Sequence, residues 1–392
     1  MFYRCVHITS VILLLMCAGL YATLGWTATP LSVATQQGVP EMAYVGTQQA
    51  QIQAIRLDTA TGKLTVIGPV VQGPKSTWVL AHPDLPVLYS VDDDNQHEGT
   101  VFAYKVDRTT GALTQVNQVA SGGKGTTNLT LDLGSMTLLA ANYASGSVSS
   151  FAVNGDASVG ARVSTVAETG SGPNRRQASA HAHNAVVDPS GHYVLVPDLG
   201  ADRVFIYGFD RATHALTPVG AAADGANTKA FETPAGTGPR HLVFGPDGQF
   251  VYLLTELSGE VMVLHWDPAH AELTPVQSLP ISSETFAGAK SGAEIEISQD
   301  GRFVYVEDRG ENTFVVYRVT PGAGTLTLVQ RIAAGGDRPW GFTIDPTGKW
   351  LLVANQHSGT VSVFGIDPAA GTLTGTGQSV AIPAAVAIAV VK

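Results

Sequence analysis

Arg240 stands directly ahead of the apolar run HLVF, and Glu256, sixteen residues later, follows the apolar run VYLL after a single Thr. Between the two runs lies GPDG, a turn sequence that folds such a pair into a hairpin and sets its far ends side by side. A guanidinium and a carboxylate placed there form either an ion pair tying two strand ends or part of a polar site. The arrangement recurs: His181 and His183 come before AVV in SAHAHNAVV, while Glu294 precedes IEIS and Arg309 follows VYVED. A histidine titrates near neutral pH and suits proton transfer. Arginines suit an oxygen that gains negative charge, or a carboxylate or phosphate held as such. The alternation in HAH points His181 and His183 to one side, so a metal pair is conceivable. No third ligand has recognisable spacing, and neither a metal nor a cofactor is expected. Asp92, Asp93 and Asp94 lack the further oxygen ligands of a calcium loop and are read as a solvated loop.

These residues need strands to position them, and the chain supplies strands at a regular period. HLVFGPDGQFVYLLTE, EIEISQDGRFVYVEDR and GFTIDPTGKWLLVANQ each read as apolar strand, tight turn and second apolar strand. Earlier copies are AVVDPSGHYVLVPD and the more degenerate VLAHPDLPVLYSVDD and LTLDLGSMTLLAANY. With Pro83, Leu133, Pro189, Pro246, Gln299 and Pro346 as equivalents, the spacings are 50, 56, 57, 53 and 47 residues. A second hairpin, an acidic residue followed by a turn and Leu-Thr, recurs in step from Asp58 to Asp367. Four strands per unit at this period, with no helical periodicity after residue 30, predict an all-β seven-bladed β-propeller of four-stranded antiparallel blades. The chain starts in mid-blade at AYVGTQ and ends on PAAVAIAVV, so the C-terminal strand is expected to close the ring and cover an edge. Residues just before a first strand and just after a second strand then converge on one mouth of the central channel.

Composition narrows the function. The formal charge of the 392 residues is −10, and an acidic chain repels phosphate backbones, so nucleic acid is not an expected partner. Arg4 followed by VILLLMCAGLYATLGW has the layout of a secretory signal. The expected organisation is a signal peptide at 1–28, a linker at 29–41 and the propeller at 42–392. The protein is then periplasmic or secreted, with a retained anchor as the other reading and no membrane contact after cleavage. Cys5 and Cys17 both fall in the signal, which leaves a mature chain without thiol chemistry. There is no phosphate-binding Gly-rich loop before a helix and no GxSxG nucleophile elbow. A monomer is expected.

SGPNRRQASAHAHNAVVDPSG, DLGADRVFIYGFD, GTGPRHLVFGPDG and AEIEISQDGRFVYV together resemble the lactonase family of seven-bladed propellers. That family includes bacterial 6-phosphogluconolactonases and carboxy-cis,cis-muconate cyclases. The resemblance implies a lactone-opening site built from His183, Arg240, Glu256 and Arg309. His183 or Glu256 would activate water, and Arg240, helped by Arg309, would stabilise the oxyanion. His181, Glu294, Arg338, Trp340 and Asn128 are the expected substrate-binding residues around them, with a small-molecule lactone as the partner. The chain departs from the family pattern at three places. Pro339-Trp340 replaces Pro-Arg, Thr127-Asn128 replaces Cys-His, and Glu296 stands where His is common. Each departure removes positive charge, and an exported protein does not meet phosphorylated metabolites. Two other readings stay open: a non-catalytic exported propeller binding a protein or glycan, as DPTGKWLLVANQHSGTVSVFGID resembles YVTN-type surface repeats, and a muconate-type cycloisomerase.

Overall fold

The computed structural model describes residues 40–220 and 228–392. The expected signal at 1–28 and the linker up to residue 39 lie outside the described residues. The first strand, Pro40–Thr47, begins two residues before the expected propeller boundary. Among the described residues there are strands and turns and no helix, hence none long and apolar enough to cross a membrane.

The strands form seven antiparallel sheets, one for each repeat. Blade 1 takes its inner strand from the other end of the chain: Ala385–Val391 pairs with Pro40–Thr47, with Tyr44 opposite Ala389. This is the closure the unpaired half-blades required, and it satisfies backbone groups that would otherwise form an open edge. Blade 4 alone exceeds the four-strand pattern, because Ala230–Glu232 adds to Arg203–Asp210.

Second strands such as Phe250–Thr255 and Phe303–Asp308 are buried throughout, since a neighbouring blade covers each face. Outermost strands such as Glu272–Pro280 alternate toward solvent. The core is divided among the blade interfaces. Leu195 and Ile206 of blade 4 meet Leu253 and Trp266 of blade 5, and Ile55 of blade 1 meets Leu352 and Val363 of blade 7. Trp350 also donates its indole N–H to the Thr59 carbonyl at 3.0 Å, joining the last blade to the first.

Each inner strand starts at the channel mouth, and the second strand returns there. The Asp-Pro-x-Gly turns between them lie at the opposite end. Five inner strands depart from regular pairing at their mouth ends: a register shift falls at Thr126/Asn128, Pro239/His241, Gly292/Ile295 and Pro339/Gly341, and in blade 1 the pairing steps from Ala385 to Ala387 opposite Thr47 and Gly46. Regular alternation would send Arg240 and His241 to opposite faces, whereas a bulge lets consecutive side chains turn inward. Glycine permits the close approach in blade 6, where a Cβ on Gly292 would lie 2.5 Å from the Thr255 carbonyl oxygen.

Candidate active site

Glu256 is the centre of the mouth. It is 2% exposed, and three arginines from three separate segments converge on its carboxylate. Arg309 Nη2 donates to Oε1 at 2.6 Å, Arg176 Nη1 to the same oxygen at 2.5 Å, and Arg240 Nε lies 3.3 Å from Oε2. Burial alone would raise this carboxyl. Arg309, Arg240 and Arg176 outweigh it and hold the group at about 2. Glu256 is therefore a fixed anion that organises guanidiniums and a weak base.

The arginines keep donors in reserve. Arg240 Nε and Nη1 and Arg309 Nη1 are buried without a hydrogen-bond partner. An unmade bond to a buried polar group costs about 1–3 kcal/mol. Such a cluster of unpaired donors is expected where a ligand oxygen completes the set. Beneath them Glu307 is fully buried, and burial followed by the Glu294 charge raises its carboxyl well above the usual range, against Arg240 and Arg309.

His183 sits beside Glu256, with Nε2 3.9 Å from Oε2. Burial first, then Arg240 and His241, lower its pKa well below 6.5, so the ring is neutral at neutral pH. His183 Nδ1 is 3.1 Å from His241 Nε2, and His241 Nδ1 is 2.6 Å from Glu294 Oε1. His181 lies higher, half-buried, stacked on Tyr143 at 4.4 Å with its Nδ1 2.8 Å from the Tyr143 carbonyl. The two histidines of HAH thus share Tyr143 as a neighbour but have different partners. Among the described residues no cluster of three or more His, Cys, Asp or Glu could hold a metal.

Trp340 lies under Arg309, with the guanidinium 4.3 Å above the ring, and Arg338 approaches it at 5.6 Å. Arg338 adopts φ +55°, a left-handed backbone conformation that is uncommon outside glycine. Trp340 is half-buried and buttresses the Arg309 guanidinium while leaving part of its surface to the mouth. Asn128 is not in this group. It lies deeper, accepting from Asn184 Nδ2 at 3.1 Å, and lines a channel cavity of about 480 Å³ with His241, Glu294 and Glu296. Glu296 is raised to about 8, chiefly by burial. The acidic run is occupied by the protein itself: Asp92 accepts from the Lys75 amide, Asp93 pairs with Lys75 Nζ, and Asp94 accepts from the Gln96 amide.

Of the residues singled out in the sequence, the structure brings His183, Arg240, Glu256 and Arg309 together, with His181, Arg338 and Trp340 around them and Glu294 and Asn128 below. Sequence reasoning missed Arg176, which lies in the long connection before blade 4. Gln177 secures that connection, donating to Asp202 Oδ1 and the Leu199 carbonyl. The adjacent pair Arg175-Arg176 in a chain of only 14% charged residues was the available signal. It also missed His241, because strict strand alternation hides a residue next to Arg240.

Fold and site together define a seven-bladed propeller with buried, partly unpaired guanidiniums gathered at one mouth of its channel. The family described as "Lactonase, 7-bladed beta-propeller" matches residues 42–390, and the chain belongs to that family. It is 31% identical over 316 residues to the 6-phosphogluconolactonase of Bacillus subtilis, covering 78% of this chain and 85% of that protein. The solved periplasmic gluconolactonase of Pseudomonas aeruginosa superposes with a TM-score of 0.81 at 33% identity, covering 90% of this chain and 99% of that one. A putative 6-phosphogluconolactonase from Bacteroides fragilis superposes at 0.77 with 26% identity, over 93% and 100% of the two chains.

Proposed function

We propose that this protein hydrolyses an unphosphorylated sugar lactone outside the cytoplasm, at the mouth built on Glu256. The observation that carries the reading is a neutral histidine beside buried arginine donors that have no partner. A water held at His183 Nε2 loses a proton to that nitrogen as its oxygen attacks the lactone carbonyl. The carbonyl π pair moves onto oxygen, where free N–H groups of Arg240 and Arg309 receive it. Collapse breaks the ring C–O bond, the leaving oxygen takes the proton from His183, and a hydroxy acid results. Glu256, held at about 2, keeps the arginines aligned and stays ionised throughout.

The absence of a phosphate requirement rests on Trp340, which stands at the mouth where the family pattern carries Arg, and on the likeness to a periplasmic gluconolactonase. The binding-protein reading has less support: the exposed large apolar residues among those described are all aliphatic, with no aromatic patch. Proton release should be followed with glucono-δ-lactone, its 6-phosphate and an aromatic-derived diacid lactone. Faster opening of the unphosphorylated sugar lactone than of its 6-phosphate is expected. No acceleration over buffer with any of the three would overturn the proposal.

A further inference from the structure

Resting on that reading, we propose that His241 and Glu294 form, with His183, a two-histidine proton relay in which Glu294 is the acceptor for the proton taken from the attacking water.

The hydrogen-bond polarity fixes the wiring. Glu294 Oε1 already accepts from the Ile295 amide at 3.0 Å and lies 2.6 Å from His241 Nδ1. A carboxylate donates nothing, so Nδ1 of His241 carries the hydrogen. His241 is 2% exposed, and burial lowers its pKa further than Glu294 raises it, so the ring is neutral and Nε2 is an acceptor. His183 Nδ1, 3.1 Å away, must then be the donor. That leaves the lone pair on His183 Nε2, the nitrogen nearest Glu256 and the mouth. One carboxylate thereby sets the tautomers of two rings in series.

The surroundings explain why a single histidine would serve poorly. His183 is faced by Arg240 and His241 from blade 5, by Glu256 from the same blade, by Arg176 from the long connection and by Tyr143 from blade 3. An imidazolium formed there would be buried and would face the guanidiniums of Arg240 and Arg176. In the relay no imidazolium persists. As His183 Nε2 gains the water proton, its Nδ1 proton passes to His241 Nε2, and the His241 Nδ1 proton passes to Glu294. The added positive charge ends on a carboxylate and neutralises it. When the ring C–O bond breaks, the three transfers run backward and the leaving oxygen is protonated, so every group returns to its starting state. His241 and Glu294 act through His183 and are positioning residues. The bulge at Pro239/His241 lets neighbouring residues serve the oxyanion and the relay.

Glu294→Gln separates relay from scaffold, because a glutamine oxygen can still accept from His241 Nδ1 but takes no proton. We expect kcat on the preferred lactone to fall about 100-fold with KM within about twofold. A proton inventory of kcat in water and deuterium oxide mixtures should be curved for the wild type and linear for the variant. A kcat within about threefold of wild type, with an unchanged inventory, would overturn the relay while leaving the lactonase reading intact. Absence of lactone opening by the wild type would overturn the reading beneath it. Nitrogen-15 spectra of histidine-labelled wild-type protein give a test independent of the variant's folding. His183 with Nδ1 protonated and Nε2 bare is expected, and the opposite tautomer contradicts the wiring.

Discussion

The two ends of the propeller use their charged groups in opposite ways. At the turn end, the aspartates that open the turns are mostly satisfied by the backbone a few residues away. Asp345 accepts from the Thr347, Lys349 and Trp350 amides, and Asp58, Asp107, Asp210, Asp267 and Asp367 each accept from two amides of their own turns. At the mouth end, Glu256 is held by side chains from far along the chain, and donors on Arg240 and Arg309 are left open. Local, complete satisfaction marks a polar group that shapes the chain. Long-range and incomplete satisfaction marks one that waits for a ligand.

Substitutions at the two ends should therefore separate activity from stability. The largest effect is expected from His183→Ala, with kcat lower by about 10²- to 10⁴-fold while the unfolding midpoint stays close to wild type. A comparable loss of stability would erase the distinction. Asp345→Ala should do the reverse, costing about 1–3 kcal/mol in urea denaturation because three amides lose a buried acceptor, with kcat/KM unchanged. Arg176, the most exposed of the three arginines on Glu256, should act mainly in binding. Its replacement by Ala is expected to raise KM about tenfold with a smaller change in kcat, measured by initial rates.

The smallest effect concerns pH at the turn end. Burial, then the nearby Asp345 charge, push the Glu41 carboxyl up to about 7 from an ordinary 4.5, against the pull of Lys392. A folded pKa above the unfolded one stabilises the protein below the unfolded value, and that contribution is lost as pH rises through about 7. Urea midpoints at about pH 5 and about pH 8 should thus differ more for the wild type than for Glu41→Gln. Equal differences would place the pH dependence elsewhere.

The turn end was legible in the sequence because its signals are local. Asp188, Pro189 and Gly191 specify a turn by conformation alone, and Gly191 has φ +73° as the turn requires. Their repetition gave the blade count and the closure by the C-terminal strand. At the mouth, legibility went as far as strand register allows: residues at strand ends, His183, Arg240, Glu256 and Arg309, were placed together. His241 was lost to a bulge, which no residue type announces. Arg176 was lost because a long connection carries no periodicity to say where its side chain falls.

The central claim is that the buried arginines form an oxyanion site and not a structural ion cluster. The most direct measurement is kcat for lactone opening by Arg240→Lys, which keeps the charge and removes the fork of donors. The expected result is a loss of about 10²- to 10³-fold with the unfolding midpoint retained. A rate within about threefold of wild type would contradict it, since charge alone would then suffice.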